Sequence, residues 1–83
     1  MPVTKDIIRK WFNEGLTQSA THMIIVCDTY DHSDFPIYVM PGENTREKAT
    51  KEGEKPMQRV MEVYSLLLPV EEQYKQTRVF NYD

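Results

Sequence analysis

Apolar residues recur at the spacing of a helix near the start of the chain. The stripe consists of Ile7, Ile8, Trp11, Phe12 and Leu16. Thr4 precedes the stripe as a suitable N-cap, and Asp6 places negative charge in the first turn, where the helix dipole favours it. Because glycine weakens a helix, we expect this helix to end between Gly15 and Ser19.

The middle of the chain has the pattern of two extended strands. Residues 21–29 contain a β-branched apolar run, and a period of two puts apolar side chains on both faces, so both faces should be partly covered. Residues 35–40 are extended again, and Pro36 belongs at the start of that strand or on an edge because it has no N–H to donate. The short polar connector between the two runs predicts an antiparallel hairpin.

The second half of the chain holds a charged segment and a segment of ambiguous pattern. The charged residues 43–51 predict an exposed helix capped by Asn44 and stopped by Gly53. Residues 58–66 fit both a helical stripe and a strand. We favour a third strand, because a hairpin alone makes too small a sheet to be stable. The residues through which this strand would pass are Val60, Glu62, Tyr64 and Leu66.

The last segment is suited to a short helix that begins at Pro69, with Glu71 and Glu72 in its first turn. Its apolar stripe is weak and consists of Val70, Tyr74 and Thr77. The predicted order is α-β-β-(α)-β-α, which makes residues 1–83 a single small α+β domain. In this architecture an N-terminal and a C-terminal helix pack on one face of a three-stranded antiparallel sheet.

The composition limits what so small a domain can do. The 83 residues carry a formal net charge of -3, which weighs against general binding to nucleic-acid backbones. The longest apolar run, residues 23–27, is far shorter than a membrane span, and the first residues have no apolar signal segment. The lone Cys27 excludes an internal disulfide and a multi-cysteine zinc site. We therefore expect a soluble, cytoplasmic protein.

Several short strings together resemble a family of short, uncharacterised bacterial and phage proteins of about this length. The strings are Ala20-Thr21-His22-Met23, Val26-Cys27-Asp28-Thr29, Phe35-Pro36-Ile37-Tyr38-Val39, Pro41-Gly42-Glu43 and Met57-Gln58-Arg59-Val60-Met61-Glu62-Val63-Tyr64. The resemblance implies an accessory protein of a microbe or its virus that binds another molecule rather than catalysing a reaction. It assigns a role to no individual residue.

The connector between the first two strands concentrates negative charge. It offers Asp28, Asp31, His32 and Asp34 within seven residues. Carboxylate oxygens are the ligands of Mg²⁺ and Ca²⁺, and His22 and His32 with Asp28 would make a mixed nitrogen and oxygen site for a transition metal. The alternative is that these side chains cap the backbone of a turn, which is common for Asp and Ser.

A catalytic role for Cys27 is a further hypothesis, with His22 or His32 as its base. Cys27 and His22 are five residues apart on a strand, so their side chains face opposite sides. Cysteines in apolar strands are usually small core residues. We therefore predict a protein that is not an enzyme and needs no cofactor.

Two kinds of side chain are candidates for binding. Arg46 and Arg59 lie in a segment of mixed charge, which is usually a solvent-exposed face. Alternatively, either guanidinium could bind a phosphate or a carboxylate. Tyr30, Tyr38 and Tyr64 would line a groove in which bases or partner side chains stack. Trp11, Phe12 and Phe35 are expected in the core.

These observations predict a non-catalytic accessory binding protein that forms a homo-oligomer. The residues 79–82, with their aromatic side chains, would be exposed in a free tail and would be covered by self-association. The expected partners are a host protein or a small anionic ligand such as a nucleotide signal. Two alternatives stay open: a small metal-dependent hydrolase that uses the connector from Asp28 to Asp34, and a structural or assembly protein without a discrete site.

Overall fold

The order of elements is confirmed in the computed structural model, which describes residues 4–75 and 79–82. The elements are α1 (Lys5–Thr17), β1 (His22–Asp28), β2 (Ser33–Val39), α2 (Thr45–Glu54), β3 (Gln58–Ser65) and α3 (Val70–Tyr74). The ambiguous segment is therefore strand rather than helix, and the strand ends at Ser65, one residue before Leu66. In the stripe predicted for the last helix, Val70 is buried, whereas the side chain of Tyr74 and residue Thr77 lie outside what the structure describes.

The first helix begins and ends where its sequence predicts. Thr4 is the N-cap, and its side-chain oxygen accepts a hydrogen bond of 3.3 Å from the N–H of Ile7. Beyond the last residue, the chain turns through Ser19, which has a positive φ of 63°. The stripe is narrower than predicted, because Ile8 and Phe12 are buried whereas Leu16 is 48% exposed.

The three strands form an antiparallel sheet in the order β2-β1-β3, so the predicted hairpin is present and β1 is central. A β-bulge interrupts the pairing of β1 with β3 between Ile25 and Val26. Because of the bulge, Val60 packs with the cluster on one face, while Tyr64 packs with the cluster on the other. The strand through Val60 and Tyr64 is confirmed, but its side chains do not keep one strict alternation.

The N-terminal and C-terminal helices lie on one face of the sheet, as predicted, because Ile8 of α1 and Val70 of α3 belong to the same cluster. The other face is covered as well, by α2, which was not predicted. The face under α1 carries the larger cluster, which includes Phe12, Met23 and Ile25. The other face carries the cluster of Ile24, Val26, Val39, Ala49 and Val63, in which Ala49 belongs to α2. The physical reason is the run of apolar residues on both faces of β1, which would stay in water if α2 packed elsewhere.

The second helix is longer and less exposed than predicted. Asn44 caps it, as expected, by accepting a hydrogen bond of 2.9 Å from the N–H of Glu47. Gly53 does not stop the helix, which continues to Glu54. Thr45, Ala49 and Glu52 are buried against the sheet, so the exposed-helix prediction holds only for the outer face. None of the described helices has the length and apolar character needed to cross a membrane.

The free edge of β2 is occupied by side chains. Pro36 has no N–H to offer. Lys48 of α2 donates a hydrogen bond of 2.9 Å to the carbonyl of Tyr38, and the carboxylate of Glu43 accepts one of 2.8 Å from the N–H of Met40. Lys48 and Glu43 also form an ion pair with an N–O distance of 3.0 Å.

The free edge of β3 is covered at its C-terminal half by the end of the chain. Val63 donates its N–H to the carbonyl of Val79 at 2.7 Å and accepts a hydrogen bond of 2.9 Å from the N–H of Asn81. The bridge between Val63 and Phe80 is parallel. The C-terminal segment, which we define as residues 79–82, is therefore docked on the sheet rather than free, and Val79 is only 1% exposed.

Candidate functional site

The docked C-terminal segment presents two aromatic rings on the side of α2. Neighbouring residues of an extended segment point in opposite directions, so Val79 enters the cluster under α1, while Tyr82 packs against the cluster under α2. The rings of Phe80 and Tyr82 are stacked, with their centres 6.3 Å apart and their planes inclined by 22°. Tyr82 thereby extends the apolar face under α2 beyond the edge of β3.

Helix α2 places a guanidinium over one of these rings. Arg46 is in the first turn of the helix, next to Thr45, whose hydroxyl lies 3.0 Å from Nδ1 of the buried His22. The guanidinium carbon of Arg46 lies 4.3 Å from the centre of the Tyr82 ring. At this distance a cation and an aromatic face attract each other, with a free energy of about 0.5–1 kcal/mol at an exposed position.

An open cleft lies where these two elements meet. Its described lining consists of Arg46, Leu68, Phe80, Asn81 and Tyr82, and its volume is about 300 Å³. Leu68 is 48% exposed and Phe80 39%, so the apolar wall is accessible from solvent. Among these described lining residues Arg46 is the only charged one. The cleft therefore combines a cation, an amide and aromatic rings, at the small end of the size range of ligand pockets.

The three tyrosines predicted to line a groove do not lie together. Tyr38 and Tyr64 both pair with Met23 and pack in the cluster under α1. The phenol of Tyr38 donates a hydrogen bond of 2.7 Å to the carbonyl of Trp11, and burial, followed by the charge of Glu14, raises the pKa of Tyr38 to about 12. Tyr30 is 78% exposed in the turn after β1.

The two predicted arginines are also separated. Arg59 lies on β3 before the bulge, directly opposite Cys27. Cys27 is two residues after Ile25, which belongs to the cluster under α1, so both side chains lie on the same face of the sheet. Arg59 is therefore on that face too, whereas Arg46 lies on the α2 face. Arg59 is thus not among the described residues that line a cleft with Arg46.

The acidic connector uses its side chains to shape the turn. Asp28 accepts a hydrogen bond of 2.8 Å from the N–H of Tyr30. Asp31 accepts hydrogen bonds from the N–H and hydroxyl of Ser33, at 3.0 and 2.7 Å, and these bonds lower the pKa of Asp31. Within residues 4–75 and 79–82, no group of three or more His, Cys, Asp or Glu side chains, including His32 and Asp34, is arranged around one possible metal position.

Cys27 is not paired with an imidazole in an arrangement that would activate it. Burial, followed by hydrogen bonding and charge repulsion from Asp34, raises the pKa of the Cys27 thiol. His22 lies on the other face, where its Nδ1 is 3.0 Å from the hydroxyl oxygens of both Thr21 and Thr45. Its Nε2 is buried and has no hydrogen-bond partner among the described residues. A thiol with a raised pKa is a weak nucleophile at neutral pH.

The sequence singles out both halves of the cleft, but for different reasons. It predicts Arg46 as a ligand residue and Tyr82 as part of a self-associating tail. Asn81 and Leu68 are missed, because their place in the cleft depends on the C-terminal segment folding back onto Val63. The alternation of Phe80 and Tyr82 is the sequence signal that would have suggested an extended segment with one aromatic side.

Comparison of the chain with protein-family models, curated proteins and solved structures finds no match. The resemblance to short bacterial and phage proteins therefore stays a prediction, and the assignment of function depends on the geometry of the cleft.

Proposed function

We propose that this chain is a non-catalytic binding protein whose cleft between α2 and the C-terminal segment holds a small anionic ligand with a planar ring, as in a nucleotide. The observation that carries the proposal is the guanidinium of Arg46, 4.3 Å from the centre of the Tyr82 ring in a cleft of about 300 Å³. A guanidinium stacks on aromatic faces and also pairs bidentately with phosphate and carboxylate, so one arginine can do both.

The chemistry of the cleft fits both parts of such a ligand. A guanidinium has a flat face, which stacks on rings, and an edge of N–H donors, which pairs with phosphate or carboxylate oxygens. The Tyr82 ring covers one face of the exposed Arg46, and Leu68 and Phe80 add apolar surface for a base. Charge-assisted hydrogen bonds then select the anion, and stacking selects the ring.

Binding without catalysis is proposed because of what lines the cleft. Its described lining has no carboxylate, imidazole or thiol that would act as an acid, base or nucleophile. The cytoplasmic accessory role in a microbe or its virus is part of the same proposal and derives from the sequence resemblance.

The proposal is tested by thermal unfolding and calorimetry with three matched compounds: AMP, adenosine, which lacks the anion, and ribose 5-phosphate, which lacks the ring. We expect AMP to bind most tightly. At ten times its Kd, AMP would raise the free energy of unfolding by about 1.4 kcal/mol. For a domain of this size that corresponds to a rise of roughly 6–11 °C in Tm.

Arg46→Ala should abolish the AMP shift, and Tyr82→Leu should weaken it, because the first removes the cation and the second removes the ring. Arg59→Ala is the matched control, since it removes the same charge from the opposite face of the sheet. An equal loss of binding in Arg59→Ala and Arg46→Ala would show that AMP responds only to overall charge. Equal binding of all three compounds would also contradict the proposal.

Self-association is the second candidate, and the exposure of neighbouring leucines favours it. Leu67 is 74% exposed and lies next to Leu68 at the mouth of the cleft. Apolar side chains exposed together commonly become covered by another subunit. If so, light scattering at micromolar concentration will show a dimer or larger species that Leu67→Asp reduces to a monomer. A wild-type monomer would remove this candidate and leave ligand binding untouched.

A further inference from the structure

The buried amide of Gln73 joins three separate parts of the chain. Gln73 is 1% exposed, and its amide forms a matched pair with the backbone of Ser65: Oε1 accepts from the Ser65 N–H and Nε2 donates to the Ser65 carbonyl, both at 2.8 Å. Nε2 also lies 3.3 Å from the carbonyl of Leu68. The side chain of Asn81 donates a hydrogen bond of 2.9 Å to Oε1 of Gln73.

Only an amide satisfies this set of partners. Ser65 needs both an acceptor and a donor at the edge of β3, and Asn81 needs an acceptor. A carboxylate accepts but does not donate, and an apolar side chain does neither. The side chain of Gln73 thus takes the place that a further strand would occupy next to Ser65.

The C-terminal segment is bonded to the sheet through its backbone and to this amide through a side chain. Its backbone is bonded to β3 at one residue, Val63, through the carbonyl of Val79 and the N–H of Asn81. The side chain of Asn81 supplies a further anchor, and that anchor ends at Gln73. Tyr82 directly follows Asn81, so the direction in which the segment continues decides whether the ring lies under Arg46.

We propose that Gln73 is the positioning residue of the cleft: through Asn81 it fixes the C-terminal segment so that Tyr82 lies against Arg46. Gln73 lies outside the described lining of the cleft, and it bonds to two lining residues, the side chain of Asn81 and the carbonyl of Leu68. The expected effect on ligand affinity rests on the proposed function, whereas the effect on the position of Tyr82 does not.

The test measures the position of the ring directly. A side chain over an aromatic face has proton NMR signals shifted upfield, so the δ-protons of Arg46 report whether Tyr82 lies beneath them. We compare the wild type with Gln73→Glu and Asn81→Ala. In the first variant a carboxylate oxygen faces the carbonyl of Ser65 instead of an N–H donor, so the side chain is repelled from the position in which it accepts from Asn81. The second removes the side chain that links Gln73 to the segment and leaves the Ser65 pair intact.

Both variants should lose at least half of the upfield shift of Arg46. Amide exchange at Asn81 should accelerate about tenfold, which is the scale of one net hydrogen bond, and the Kd for AMP should rise by a similar factor. Tyr38→Phe is the control, because it removes a hydrogen bond on the other face of the sheet and should leave the Arg46 signals in place. A general loss of stability would reduce the upfield shift of Arg46 in Tyr38→Phe as well as in the other two variants.

The outcomes are distinct. If Asn81→Ala keeps the full upfield shift, Gln73 does not position the ring and the inference is overturned, whether or not Gln73→Glu folds. If the shift falls in Asn81→Ala and in folded Gln73→Glu but not in Tyr38→Phe, the inference is supported, and a full shift in folded Gln73→Glu overturns it. If the shift falls in this way but wild-type protein does not bind AMP, the positioning role stands and the proposed function fails.

Discussion

The two faces of the sheet are packed in different ways. Under α1 the helix lies so close that Gly15 has no room for a side chain: a Cβ there would lie 2.7 Å from Cδ1 of Leu66 and 2.8 Å from the ring of Tyr38. Under α2 the corresponding glycine, Gly53, has ordinary space, with Cγ2 of Val60 at 3.7 Å as the nearest atom to an added Cβ. The close packing under α1 stabilises the fold and leaves no space for a ligand at Gly15. The face under α2 is equally buried at its centre, and the cleft lies at its margin, where Arg46 meets Tyr82.

The largest change in the free energy of unfolding is expected for Gly15→Ala. In an open helix this change would stabilise by about 1 kcal/mol, but here the new methyl group overlaps Leu66 and Tyr38. Moving Tyr38 strains its hydrogen bond to the carbonyl of Trp11, so we expect a net destabilisation of about 2 kcal/mol, within the range for overpacked cores. Urea unfolding measures the change. An unchanged or larger free energy of unfolding would show that α1 does not pack this closely.

Tyr38→Phe should lower the free energy of unfolding by an intermediate amount. It removes the 2.7 Å hydrogen bond to Trp11 without creating a clash, and the net contribution of such a bond is about 1 kcal/mol. Urea unfolding at neutral pH gives the difference from the wild type. A free energy of unfolding equal to that of the wild type would mean that the phenol is satisfied equally well by water.

Because of the same phenol, the free energy of unfolding should decrease as the pH becomes alkaline. The folded-state pKa of Tyr38, about 12, is above the ordinary value of 10.0 because burial disfavours the charged form. Between pH 10 and about pH 12 the phenol of Tyr38 keeps its proton in the folded chain but loses it in the unfolded chain. The stabilising contribution is therefore complete below pH 10 and is lost as the pH rises toward 12. Unfolding curves should show the advantage of wild type over Tyr38→Phe shrinking over this interval, and a constant difference would contradict the assignment.

The smallest effect is expected for Gly53→Ala on the other face. The new methyl group meets Val60 at an ordinary contact distance, and alanine is the better helix former. Because Gly53 is next to the last residue of α2, we expect a gain of only about 0.5 kcal/mol. The same substitution would thus have opposite signs on the two faces. Destabilisation by Gly53→Ala would mean that α2 also lies tightly on the sheet.

Local patterns were sufficient to predict the elements of the fold. The helix α1, its cap at Thr4 and the cap of α2 at Asn44 are encoded by residues a few positions apart, and all three are confirmed. The face that α2 covers was not predictable in this way. Its contribution to the apolar core is the single small residue Ala49, and the need for cover is encoded on β1 instead.

The candidate site was less accessible to sequence reasoning than the fold. Arg46 has the chemistry of a ligand residue wherever it lies, so it was selected from the sequence. Its partner Tyr82 is 36 positions away along the chain, and their contact depends on the bridge at Val63 and on the amide of Gln73. A glutamine in a short helix carries no signal that its side chain is buried and bonded to a strand edge.

The occupied edge of β2 has a consequence for the behaviour of the protein in concentrated solution. An extended segment of another molecule that approached this edge would have to displace Lys48 from the carbonyl of Tyr38, and it would find no N–H at Pro36. The Glu43 carboxylate already holds the N–H of Met40. Chain-to-chain growth of the sheet, the route by which folded domains polymerise into fibrils, is therefore obstructed at this strand by side chains alone.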